Sequence, residues 1–461
     1  MLPIFLIQGK TPRLSISNNN QHRLSIVSKH FDNEYYNQQQ VQIIGSELSQ
    51  PLPNTDGSTD RRRLTQIITL VGNNKENIVE PKGRYLLLFI VEPILIGCLL
   101  FPMLVLFWDC GWNLTVTMLN SLNGFPLTYN LDGNNYTDDG YGDYSPQSLI
   151  IPYVIVEILL LIFYLGQDLF YDFLKRQYTF IEMILLKIHI LILASLYIVQ
   201  WEMIWTILDQ YTPQEWTFIM VLSLASLFVL IVVTGTLSDL VCSPFVVSYD
   251  SIEYCIRFEC PLVAEHMDRW KINLINFILY EFIISNITII GWHGFYLILD
   301  QYLYPDDTIK SAWICLLIGY PLYFSLMYCQ YYLENFNLKY DFWTVFLANF
   351  PQCHRNIFHG LAFASCLFLW RGFWVLYDSY LDIFEKYHET YLLISLLSFG
   401  FLSVIQTFSS MNGSLSAMED NYRFFPIYSH CYISKVVYKL SQLSCFQLKT
   451  IGTTRVFPFE N

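Results

Sequence analysis

Three carboxylates, Asp209, Asp300 and Asp378, hold the same place in one recurring phrase, Trp-x-x-x-(Trp/Tyr)-x-x-x-Asp-(Gln/Ser)-Tyr, which spells residues 201–211, 292–302 and 370–380. Converging at one level, three such acids would gather a divalent cation; standing singly at helix ends, each would cap a turn. The aromatic positions are Trp201 with Trp205, Trp292 with Tyr296, and Trp370 with Trp374. A fourth, degenerate copy carries Trp108 and Trp112 but has Val116 where the acid would stand. Residues i, i+4 and i+8 drift only modestly around a helix, so the two rings and the carboxylate of each copy form one stripe. The residue after the first Trp is polar in every copy: Asp109, Glu202, His293 and Arg371. Sharing that position, Arg371 is expected to pair with Glu202 or Asp109.

A second set of ionisable groups, Glu92, Glu157, Lys187, Glu281 and His359, falls inside long apolar runs. Charges there are costly and are paired or face a cavity, so the set is either a buried network that fixes packing or a path for protons or ions. Lys187 stands at a depth from which it could neutralise Glu92 or Glu281. Glu281 and His359 occupy equivalent positions ahead of their phrases. The chain has no His-Glu-x-x-His, no Gly-x-Ser-x-Gly and no phosphate-cradling loop, so neither an enzyme nor a resident cofactor or metal is expected. Without a basic patch, nucleic acid is not an expected partner.

The elements that must position these residues are membrane helices. Apolar residues make up 54% of the 461, charged residues 14% and aromatics 17%, a composition whose main solvent is lipid. A helix needs ~20 apolar residues to cross ~30 Å of hydrocarbon. Such runs occur at 85–107, 149–170, 180–205, 216–237, 274–296, 311–333, 357–374 and 391–411. A unit with an even number of passes returns the chain to its starting side. The expected fold is therefore an all-α polytopic membrane protein, eight transmembrane helices arranged as four tandem parallel two-helix repeats. Residues 1–78, rich in Asn, Gln, Ser and Pro, read as a disordered cytosolic tail, 79–411 as the eight-pass domain, and 412–461 as a cytosolic C-terminal tail.

Lys and Arg set the orientation. Of the 26, only Lys310 and Lys386 fall on loops assigned outside and only Lys187 and Arg371 within spans, so both termini are expected in the cytosol. The sequons at Asn113 and Asn135 agree, because both fall on the first expected outer loop, where glycosylation needs them. An acid at the outer, carbonyl-bearing end of a helix is disfavoured by about 0.3–1 kcal/mol. Each phrase Asp is thus expected to find compensation from a turn amide, from the amino end of the next helix or from a cation. Membrane lipids are the one partner class that composition implies.

Eight passes, a long polar head and the phrase Leu369-Trp370-Arg371-Gly372-Phe373-Trp374-Val375-Leu376-Tyr377-Asp378 resemble the Fuseless family of animal membrane proteins over about 85–412. The resemblance implies a non-enzymatic multi-pass protein of the presynaptic plasma membrane that helps organise voltage-gated calcium channels and synaptic transmission. Partners would then be such a channel or presynaptic scaffold proteins. The family transfers no catalytic residue. The rival expectation is an ion or small-solute transporter or channel built from the helical-hairpin repeats.

Overall fold

The structure, a computed structural model, describes residues 84–123, 144–177, 179–248, 250–256, 267–340, 351–381 and 388–412. Expectations for the N-terminal tail, Asn135 and the segment after 412 lie outside the described residues. Among the described residues every regular element is helical. Helix α1 (Arg84–Leu95) passes through a π-helical turn, Ile96–Leu100, into α2 (Phe101–Leu122). Then come α3 (Pro146–Leu174), α4 (Thr179–Tyr211) and α5 (Trp216–Thr234). Helix α6 (Arg269–Asn276) continues through a π-helical stretch, Phe277–Ser285, into α7 (Asn286–Tyr302). The last three are α8 (Thr308–Tyr340), α9 (Pro351–Leu381) and α10 (His388–Val404).

Local chemistry explains the boundaries. Ser145 caps α3, its hydroxyl accepting from the Ser148 amide, and Pro146 occupies the first turn, where its missing N–H costs nothing. Helix α5 stops at Gly235, whose φ of 78° only glycine adopts without strain. Seven of these helical runs are long and apolar enough to cross a membrane, and Glu389–Val404 is a shorter apolar helix. The eighth expected span, 391–411, ends earlier than its apolar run, the helix stopping at Val404. The chain leaves the helix after Val404, turns through Gln406 at a φ of 62°, and docks on Asp250. That carboxylate receives the backbone amides of Phe408 at 3.1 Å and Ser409 at 2.6 Å, while the Gln406 carbonyl receives the Asp250 amide at 3.0 Å. Amide donors of a short 3₁₀ turn are satisfied by a buried acid instead of by another turn of helix.

The helices carrying the phrases, α2, α4, α7 and α9, form the inner layer: α2 touches α4 and α9, and α7 touches α4 and α9. Helices α3, α5, α8 and α10 pack on the outside. Each outer helix lies chiefly along the phrase helix of the following copy, α3 on α4, α5 on α7 and α8 on α9, and α10 closes the circle on α2. The phrase helix and the outer helix that follows it are thus not the closest-packed pair. Helix approach is set by small residues, as lipid-embedded packing requires. A Cβ built on Gly294 would fall 1.8 Å from the Ser223 hydroxyl of α5, and one on Gly372 would fall 2.7 Å from Leu316 of α8.

Burial follows the layers. Half of the most apolar stretch of α9 is buried, against 22% for α5 and 28% for α3. The outer helices show ribbons of exposed side chains, Ile151, Ile155, Ile158 and Ile162 on α3 and Val221, Leu224, Phe228 and Val232 on α5. In water such ribbons would be a liability; against lipid they are the ordinary surface.

The tight seam predicts a position-specific glycine effect. Gly372→Ala is expected to lower thermal stability in detergent by about 1–3 kcal/mol through overpacking. Gly166→Ala, where nothing lies within 4 Å of the new Cβ, is expected to be neutral or slightly stabilising. Equal melting shifts for the two variants would contradict the seam.

Candidate functional site

Each phrase lies wholly within its helix, so its stripe points inward at one level. The first-position tryptophans close a ring. Trp108 meets Trp201 at a centroid separation of 5.8 Å, Trp201 meets Trp292 at 6.2 Å, Trp292 meets Trp370 at 6.4 Å, and Trp370 meets Trp108 at 6.0 Å. All four contacts are edge to face. One helical turn further on, a second tier repeats the arrangement: Trp112 with Trp205 at 5.7 Å, Trp205 with Tyr296 at 5.4 Å, and Trp112 with Trp374 at 5.3 Å. The fourth side is bridged by a cation, the Arg371 guanidinium lying 5.9 Å from the Tyr296 ring centre. Edge-to-face packing brings the positive rim of one ring to the negative face of the next, which adds about 0.5–1.5 kcal/mol per pair beyond area burial.

The acids form a third level, and here the expected pairing is corrected. Arg371 does not pair with Glu202 or Asp109; its Nε donates to Asp300 at 2.8 Å, and its Nη1 donates to the Ser311 hydroxyl at 2.9 Å and to the Cys315 sulfur at 3.2 Å. His293 Nε2 lies 2.7 Å from Asp209. Asp109 meets Asp378, carboxyl to carboxyl. The rule is cyclic: the polar residue after the first Trp of one copy reaches the phrase acid of the copy before it. Glu202 would reach position 116, where a valine stands, and receives the Thr206 hydroxyl of its own helix at 3.0 Å instead. Compensation for two of the phrase acids thus comes from side chains of the neighbouring helix. His293 and Arg371 are 3% exposed, while the Asp209 and Asp300 side chains are 40% and 41% exposed, so buried cationic or imidazole groups anchor carboxylates that face open space.

That space is a cavity of about 640 Å³. Both aromatic tiers line it, with Asp209, Asp300 and Asp378 at the phrase end and Ser243, Ser410 and Met411 toward the other. Trp370 Nε1 donates to the Ser243 carbonyl at 2.9 Å, tying the first tier to that floor. Asp239, on the same floor, is pushed by burial from the ordinary carboxylate value to about 6.

The remaining intramembrane charges divide. Gln200, which spacing had not singled out, bridges two of them, its amide donating to Glu157 at 2.8 Å and to Glu281 at 3.1 Å. Tyr164 and Tyr197 donate their hydroxyls to the other Glu281 oxygen at 3.2 and 3.4 Å. Glu281 sits in the π-helical stretch ahead of α7, a geometry that widens the turn around a buried group. Lys187 joins neither Glu281 nor Glu92 in an ion pair; it pairs with Asp250, the acid that docks the 408–411 turn. Asp250 lies far along the chain from Lys187, and no spacing rule joins a loop acid to a mid-helix lysine. Glu92 on α1 and His359 on α9 are fully buried.

Asn113 is corrected too. It lies within α2, half-buried, its amide donating to the Asp109 carbonyl at 3.1 Å, instead of on a loop. Among the described residues, no three His, Cys, Asp or Glu side chains are placed to hold a metal ion.

A family model described as Fuseless matches residues 87–411, well over half of the chain and all but the outermost residues of the helical core just described. The chain belongs to the Fuseless family. No curated protein and no solved structure matches it. Membership and the span-length helices together make it a multi-pass membrane protein of that family.

The cross-helix pairs make a directional prediction. Asp300→Asn is expected to lower stability by about 2–3 kcal/mol, because Arg371 is left buried without its anion. Arg371→Met added to that background is expected to recover part of the loss in a detergent melting series. Additive losses would contradict the pairing.

Proposed function

We propose that the chain is an eight-pass protein of the presynaptic plasma membrane, built as four tandem parallel helical hairpins with both termini in the cytosol. Its role in this reading is non-enzymatic: it organises voltage-gated calcium channels and their scaffold for synaptic transmission. The observation that carries the reading is the family match across 87–411. The fourfold succession of inner-layer phrase helices supports the parallel arrangement, because four side chains from four helices can close a ring only if equivalent positions stand at one depth. The clustering of Lys and Arg on alternate loops supports the cytosolic termini.

A second reading, a carrier or channel for an ion or small solute, is favoured by the central cavity and by the Glu157–Gln200–Glu281 cluster. Under it, purified protein in sealed vesicles conducts or exchanges an ion, and Glu281→Gln changes the flux.

Proximity labelling from the N-terminal segment in native nerve tissue separates the two. The organiser reading expects calcium-channel subunits and presynaptic scaffold proteins to be enriched over a membrane-anchored control. Their absence, together with flux in vesicles that Glu281→Gln alters, would replace it with the carrier reading.

A further inference from the structure

The cavity has walls of two kinds that are seldom combined. Eight aromatic residues, seven tryptophans and one tyrosine, form its two tiers, and three acids, Asp209, Asp300 and Asp378, line its phrase end, two of them held by His293 and Arg371, with the buried Asp109 and Glu202 behind them. A hydrocarbon chain would fill the aromatic part but gains nothing from the acids. An anion is repelled by them. A metal ion needs several oxygen donors converging within bonding distance, and the described residues offer no such group. Asp209 and Asp300 are already committed to His293 and Arg371 on the neighbouring helices, which spaces them around the rim instead of bringing them together.

What suits both walls is a weakly hydrated cation. Its charge is attracted to indole faces and its apolar shell is content to leave water, the combination by which aromatic cages take quaternary ammonium groups. Arg371 over Tyr296 already places one cation against the second tier. One buried acid near the cavity is only half satisfied: the second Glu202 oxygen receives no hydrogen bond from a described donor, whereas Asp109 is held against Asp378. Asp109 and Glu202 are fully buried, Asp109 against Asp378 and Glu202 within electrostatic reach of Asp209, two of the acids that line the cavity. At about 640 Å³ the space exceeds a small ammonium ion and falls in the ordinary range of small-molecule sites.

We propose that this cavity is a binding site for a small organic ammonium ion, enclosed by the aromatic tiers and balanced by the carboxylates of the phrase end. Trp112 and Trp374, in contact with each other in the second tier, one helical turn from the level of the acids, make the main aromatic contact. The inference concerns occupancy alone and stands whether the protein organises channels, carries a solute or does both.

The test uses the full chain purified in lipid nanodiscs, with tetramethylammonium and choline as probes and 3,3-dimethylbutan-1-ol as the uncharged isostere of choline. The tryptophans of the cavity wall supply the signal. Saturable changes in tryptophan fluorescence, confirmed by calorimetry, are expected with both ammonium ions, and the alcohol is expected to bind at least about tenfold more weakly. Asp378→Asn and Asp209→Asn are each expected to weaken choline about tenfold, and Trp112→Leu likewise, while Trp112→Phe retains binding. A thermal melt identifies variants that fail to fold, and for those the wild-type comparison of choline with its isostere decides. No saturable signal from either ammonium ion, equal binding of the alcohol, or saturation by calcium without competition from choline would each overturn the proposal.

Discussion

Four indoles from four helices cannot stack face to face at one depth of a bundle, but they can close a square edge to face. That constraint organises the molecule. Once Trp108, Trp201, Trp292 and Trp370 form the square, their helices share one inner radius, and residues four and eight positions on fall at two further levels. The outer helices then fill the seams wherever small residues permit close approach, as at Gly294 and Gly372. A square of bulky rings also resists collapse: the wider the ring, the more space it encloses, and here the enclosed space is a cavity lined by the same residues that hold it open.

The charges follow from the ring. A carboxylate at the carbonyl end of a helix is in the wrong field, and in a thin polar zone next to hydrocarbon the penalty is not screened away. The offset between the first Trp and the acid eight residues on carries each acid toward the neighbouring helix, where His293 and Arg371 meet Asp209 and Asp300. Two corners break the pattern. Asp378 meets an acid, and Glu202 faces a copy that lacks the phrase acid, so the rim is unevenly negative. The floor is held differently, by Asp250, which gathers a loop, a mid-helix lysine and the turn after α10.

Much of this was legible in the chain. The phrase gave the tiers and their common level, because spacing of four and eight is a statement about one helix. Composition and run length gave the helical class. The partners across helices were harder, since a shared position says that residues lie at one depth without saying which neighbour each one faces. A shared position therefore points Arg371 to its equivalents, Glu202 and Asp109, and not to Asp300. A usable signal was present: reading the residue after each first Trp against the acid of the preceding copy puts His293 opposite Asp209, Arg371 opposite Asp300, and Glu202 opposite Val116. No local signal existed for Lys187 with Asp250 or for the early end of α10, because both depend on a loop folding back, or for Gln200 between two glutamates, because that depends on which helices become neighbours. Asn113 falls on a helix and not on a loop because α2 outlasts the apolar run that ends at the phrase and continues to Leu122.

The aromatic square is tested most directly by double-mutant cycles on unfolding free energy in detergent, with leucine replacing tryptophan at adjacent and at diagonal corners. The account predicts coupling of about 0.5–1.5 kcal/mol between positions 108 and 201, and between 292 and 370, with none between 108 and 292. Coupling as large across the diagonal as along the sides, or no coupling at any corner, would contradict it.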